Sequence, residues 1–179
     1  MLLYRKYAFI WKAIYKVITH WCVDNYVTGS SAFLATKVTV LGSSGNIAFP
    51  MIYYNEGGDY NNTSGVFTCR VPGTYWFAAG IGMVNQASMS IECRVLHNNQ
   101  IRLHMYFNTV NTNAGITSSV SGAFRLQHGD WVQVGQCYNA DHIYSGDMTF
   151  FSGMLITPSV WGRYVLLESL STKLKAKKI

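Results

Sequence analysis

Between Ser31 and Thr157 apolar residues recur at every second position, a period that predicts β-strands with one buried face. Met89, Ile91, Cys93 and Val95 alternate with Ser88, Ser90, Glu92 and Arg94, and Ile101, Leu103, Met105 and Phe107 alternate with Arg102, His104, Tyr106 and Asn108. The link His97-Asn98-Asn99-Gln100 predicts a hairpin, because asparagine tolerates the positive φ of a tight turn. A further strand places Val120, Phe124 and Leu126 on one face and ends at a His128-Gly129-Asp130 turn before Trp131-Val132-Gln133-Val134. Short strands, Gly/Asn turns and no helical period predict an all-β sandwich or barrel.

Two segments break the alternation. Tyr75 to Met83 and Met148 to Ile156 are apolar or small on both faces. A strand of a single sandwich buries one face, so the second apolar face calls for another partner, a subunit interface or a covering segment.

The ends differ from the middle, dividing the chain into 1–29, 30–158 and 159–179. Leu3, Tyr7, Ile10, Ile14, Val17 and Trp21 follow a 4-3-4-3 spacing, the stripe of a short coiled coil. An amphipathic helix on a membrane surface and a misplaced start of the reading frame are equal rivals. The same segment matches a signal peptide poorly, since Lys12 and Lys16 interrupt its apolar run and no small-x-small cleavage pattern follows. No apolar run of transmembrane length occurs. Residues 159–179 read as a basic tail.

Charge changes the picture mainly by where it lies. The net +6 resides in the ends: Arg5, Lys6, Lys12 and Lys16 against Asp24, then Arg163, Lys173, Lys175, Lys177 and Lys178 against Glu168. The middle is nearly neutral, so the basic face that phosphate neutralisation needs is missing and no nucleic-acid partner is expected. Cys22, Cys69, Cys93 and Cys137 lack the close spacings of zinc or redox motifs and read as buried free thiols. The nucleophile elbow, the H-E-x-x-H helix and the phosphate-cradling glycine loop are absent from the sequence, and the five histidines sit singly. No catalytic activity, metal or cofactor is expected.

Phe49, Asn55, Tyr60, Phe67, Gly73, Tyr75 and Phe77 stand at the spacing of the signature of the complement C1q globular-head family, with Ala79 where that family has Phe or Tyr. Phe151-Ser152-Gly153-Met154-Leu155-Ile156-Thr157-Pro158 is similar to its closing strand, and Arg125 to Val132 to its L-x-x-G-D-x-V turn. The resemblance implies a jelly-roll β-sandwich of about ten strands shared with the tumour-necrosis-factor superfamily, assembling as a homotrimer. It also implies a secreted binding protein. Phe67, Tyr75, Phe77 and Phe151 are expected in core and trimer packing, and Gly73 at a turn position with positive φ. The family's internal disulfide would pair Cys93 with a position near Phe107 to Asn108, where no cysteine stands. Family heads often hold calcium through an aspartate; the corresponding stretch here, Asn111 to Ser119, has no carboxylate.

Two overlapping sequons make Asn61 and Asn62 glycosylation candidates in a secreted chain. The loop from Tyr138 to Asp147 mixes aromatics, carboxylates and a histidine, and Tyr138, Asp141, His142, Tyr144 and Asp147 are candidate ligand contacts. The expected function is secreted, lectin-like recognition of microbial or cell-surface glycans in innate immunity. The rival is a trimeric signalling or scaffolding ligand for a cell-surface receptor.

Overall fold

In a computed structural model, which describes residues 30–83, 89–109 and 116–159, the two-residue period becomes twelve strands. In chain order they are β1 (Ala32–Thr36), β2 (Thr39–Leu41), β3 (Asn46–Ala48), β4 (Met51–Glu56), β5 (Tyr60–Asn61), β6 (Val66–Thr68), β7 (Gly73–Met83), β8 (Met89–His97), β9 (Gln100–Thr109), β10 (Ile116–Leu126), β11 (Trp131–Tyr138) and β12 (Phe150–Pro158). Ten of them form two five-stranded sheets, ordered β10-β7-β12-β1-β4 and β5-β6-β11-β8-β9, while β2 and β3 pair by themselves. Every pairing is antiparallel. This is a jelly-roll β-sandwich of the expected size. The segments 1–29 and 160–179 lie outside the described residues.

The core is aromatic. Phe33 stacks on Tyr60 at 4.6 Å and meets Phe151 edge-on at 4.9 Å, while Phe67 meets Tyr75 and Phe77 edge-on at 5.3 and 5.2 Å. Offset and edge-to-face pairs of this kind add to the area they bury. Phe67, Tyr75, Phe77 and Phe151 are fully buried there, and Ala79 lies across from Phe151 in the β7–β12 register. The polar tips are satisfied. The Phe49 amide donates to the Tyr60 hydroxyl at 3.0 Å, and the Tyr75 hydroxyl donates to the Val71 carbonyl at 2.7 Å. Burial pushes the Tyr60 phenol up to about 12, against the opposing pull of its backbone partner.

The turns follow local chemistry. Asn98 and Asn99 take φ of 47° and 65°, which closes the β8–β9 hairpin as the sequence predicts. At the other predicted turn Gly129 has φ 86°, and Asp130 accepts from the Gln127 amide at 2.7 Å and the Asn98 side chain at 2.7 Å. Those bonds, the backbone one foremost, hold the Asp130 carboxyl below the usual carboxylate range. Asn55 supports a third turn by accepting from the Tyr60 amide and donating to its carbonyl.

Four expectations are corrected. Cys93 and Cys137 form a disulfide between β8 and β11, so these two are not free thiols; Cys69 is a buried free thiol, and Cys22 lies outside the described residues. Gly73 opens β7 without a positive φ, and its constraint is contact: a Cβ there would stand 2.5 Å from the Thr157 carbonyl oxygen. Ile101 is exposed, because a register shift between Val95 and Leu96 breaks the alternation at the hairpin end. The last strand begins at Phe150, leaving Met148 on the preceding turn.

Candidate recognition site

The two sheets present different outer faces. On the first, Trp76 pairs with Met154 across β7 and β12 and with Ala123 across β7 and β10, and Met154 pairs in turn with Ala32. Trp76, Met154, Ile156 and Met148 are among the exposed large hydrophobics. Phe150 lies over Gly80, and Met148 lies against Gly82. This is the second apolar face of the two doubly apolar segments. Trp76 stands between Tyr75 and Phe77, and Phe150 beside Phe151, and those three neighbours, Tyr75, Phe77 and Phe151, point the other way into the core.

The outer face of the second sheet is polar and aromatic. Tyr138 on β11 stands opposite Glu92 on β8, which stands opposite Tyr106 on β9; in the adjoining row Arg94 faces His104. The Glu92 carboxylate pairs with the Arg94 guanidinium and, at 3.0 Å, with His104 Nε2. Arg94 also donates to the Gln136 carbonyl at 3.0 Å. Sequence reasoning passed over Glu92, Arg94, His104 and Tyr106, treating them only as the polar half of an alternation.

From Tyr138 the chain enters the loop singled out above, which the fold fastens at several points. Asn139, at φ 54°, donates through its amide to the Ser90 carbonyl at 2.9 Å. Ala140 and Ile143 are buried, the Tyr144 amide donates to the Gly82 carbonyl at 2.7 Å, and the Ser145 hydroxyl exchanges hydrogen bonds with the backbone of Val38. Asp141 and His142 are brought together, with Oδ1 and Nδ1 3.0 Å apart and the aspartate largely exposed. Tyr144 lies against Gly146 and Asp147 is exposed; among the described residues neither bonds to the Asp141–His142 pair. The structure therefore divides the five candidates among the end of β11, a paired acid and imidazole, and two separate exposed side chains.

Asn61 and Asn62 are exposed, on β5 and the turn after it. Asn61 Oδ1 accepts from the Thr63 and Ser64 amides at 2.9 and 3.0 Å, while Asn62 Nδ2 donates to the Pro50 carbonyl at 3.1 Å. A groove of about 390 Å³ opens between the edges of β9 and β10, with Arg102, Arg125 and His97 around Leu103 and Phe124. Among the described residues no group of three His, Cys, Asp or Glu side chains is placed to hold a metal ion. Most of the stretch from Asn111 to Ser119 lies outside the described residues.

Comparison with known proteins accounts for this architecture. The C1q domain matches residues 31–156, most of the chain and nearly all of the described sandwich. The chain belongs to the C1q-domain family. A rat complement C1q subcomponent is 32% identical over 133 residues, covering 72% of this chain and 51% of that protein. Mouse complement C1q tumor necrosis factor-related protein 2 is 37% identical over 90 residues, covering 49% of this chain and 29% of its own length. The chain thus spans about half or less of the curated relatives it matches. Among solved structures, the globular domain of the zebrafish complement 1qA protein superposes with a TM-score of 0.54 at 18% identity, covering 73% of this chain and 98% of that one. Murine APRIL superposes with a TM-score of 0.56 at 12% identity, covering 71% and 99%. These two likenesses are of fold.

In this C1q domain the signature positions have plain physical roles. Phe49, Tyr60, Phe67, Tyr75 and Phe77 build the core, Asn55 holds the turn before Tyr60, and Gly73 lets β12 pass. All of them are buried except Asn55, which is half-buried.

Proposed function

We propose that this C1q-domain protein is a secreted, non-catalytic homotrimer that recognises microbial or cell-surface glycans in innate immunity. The observation that carries the reading is the division of labour between the two outer faces. The Trp76–Met154 face is apolar enough to need covering, and a second copy of the chain is the cover that closed symmetry supplies. The Tyr138–Glu92–Tyr106 face and the adjoining Asp141–His142 loop carry the mixture of rings, carboxylates and imidazole that suits polyhydroxylated ligands. The complement C1q relatives support the immune setting.

A trimeric ligand for a cell-surface receptor is the second reading, favoured by the tumor necrosis factor-related relatives and the likeness of fold to APRIL. One jelly roll hosts both activities, so fold does not separate them. The test is a binding screen of the purified protein against microbial polysaccharides, glycan arrays and receptor ectodomains. Binding to glycans, stronger for multivalent polysaccharide than for free sugar by about two orders of magnitude through avidity, supports the first reading. Binding to a receptor ectodomain alone refutes it.

A further inference from the structure

We propose that the outer face of the β11-β8-β9 sheet is a platform for an extended, uncharged glycan, with Tyr138 and Tyr106 stacking on sugar rings and the Glu92 cluster between them bonding to hydroxyls. The proposal rests on the glycan reading above and assigns it a place. The decisive feature is a parity reversal in β11. Val132 and Val134 point into the core, so regular alternation would send Tyr138 inward as well. A bulge between Gly135 and Tyr138 inserts the extra residue that turns Tyr138 outward, directly opposite Glu92, where it is 61% exposed.

That bulge is held in an unfavourable conformation by several independent ties. Gln136, within the bulge, has φ 49°, in the left-handed region that disfavours a side chain of its kind, and Asn139 just after it has φ 54°, which asparagine tolerates. The Gln136 amide donates to Asn46 Oδ1 at 3.3 Å, its carbonyl accepts from Arg94, and the next residue, Cys137, is bonded to Cys93. The Asn139 amide is tied to Ser90 on β8. The same reversal turns Cys137 toward the buried Cys93, so the bulge serves the disulfide as well, and what it adds on the outer face is an exposed tyrosine set opposite Glu92 and in line with Tyr106.

The ligand class follows from spacing and charge. Tyr138 and Tyr106 are two strands apart, about 10 Å, a span suited to two rings of an extended oligosaccharide. Tyr106 is 53% exposed, with its ring tilted 58° to that of His104 at 6.5 Å, so both tyrosines have surface open to the apolar face of a sugar. Between them, the single charge of Glu92 matches that of Arg94, and with the His104 ring nitrogen 3.0 Å from the carboxylate the cluster offers groups that both accept and donate hydrogen bonds.

The test uses the full chain and titration calorimetry with neutral hexasaccharides of the cello, laminari, chito and manno series, and with a heparin hexasaccharide as the anionic arm. At least one neutral series is expected to bind more tightly than heparin. Tyr106→Ala and Tyr138→Ala should each weaken that binding about tenfold or more, as loss of an aromatic anchor does, while Tyr138→Phe retains most of it. Unchanged melting and sedimentation of the variants establish that the fold is intact. Binding that survives the double alanine variant but is lost in Asp141→Ala/His142→Ala overturns the platform and leaves glycan recognition standing. Preference for heparin overturns the assignment of an uncharged ligand, and failure of every glycan in this and the wider screen overturns the platform and the glycan reading together.

Discussion

Cys93 and Cys137 join neighbouring antiparallel strands, β8 and β11, with their Cα atoms 4.1 Å apart and a sequence separation of 44. Closing a loop of that length restricts the unfolded chain by about 4 kcal/mol on the chain-entropy account. Cys137→Ser should therefore lower stability by roughly 2–4 kcal/mol, read as a lower denaturation midpoint with a steeper urea slope, because the unlinked chain exposes more surface on unfolding. Because Cys93 is fully buried, the native protein should resist mild reductant until it unfolds. Rapid reduction of the folded protein, or a midpoint unmoved by the substitution, contradicts this account.

Asp130 locks the β8–β9 and β10–β11 turns together through Asn98 and the Gln127 amide, and its carboxyl titrates below the usual carboxylate range. A group depressed in the folded state contributes stability above its unfolded value, and that contribution is lost as pH falls through the folded one. Asp130→Asn should thus cost about 1–2 kcal/mol at neutral pH. The difference between variant and parent should shrink as pH falls below about 4. Denaturation curves across that range check the sign, and a gap that widens in acid refutes it.

Trp76 and Met154 are cross-strand partners on the apolar outer face. Met154→Lys places an ammonium in the middle of that face, which is tolerated in water and costly in an interface. The expected outcome is dissociation with little change in the far-ultraviolet spectrum of the monomer. An associated variant with the parent's mass shows that the face is not where copies meet.

Calcium should not be required for ligand binding. The stretch from Asn111 to Ser119 has no carboxylate to compensate a divalent charge, and among the described residues no metal cluster stands elsewhere. Calorimetry of the metal-stripped protein should detect no micromolar calcium site, and binding in chelator should equal that in calcium. Binding abolished by chelator contradicts the prediction.

Much of the fold was legible because alternation and turn chemistry are local properties. The Asn98-Asn99 hairpin, the Gly129 turn and the inward set of β10 follow from residues within a few positions of one another. The disulfide was not legible, since its partner lies on a strand adjacent only in the folded sheet, and spacing along the chain carries no trace of that pairing. Gly73 escaped for a related reason: its neighbour, Thr157, is contributed by the last strand. At the candidate site, Tyr138 and the Asp141-His142 pair were found as an unusual composition, whereas Glu92, Arg94, His104 and Tyr106 were hidden inside regular alternation. Only the sheet register brings those four beside Tyr138, and only the bulge turns Tyr138 toward them.

The central claim is that this domain recognises its ligand as a trimer assembled through its own apolar face, without help from either end of the chain. Sedimentation equilibrium of residues 30–158 at micromolar concentration tests it most directly. The account predicts a single species of three times the chain mass, and a clean monomer at that concentration would contradict it.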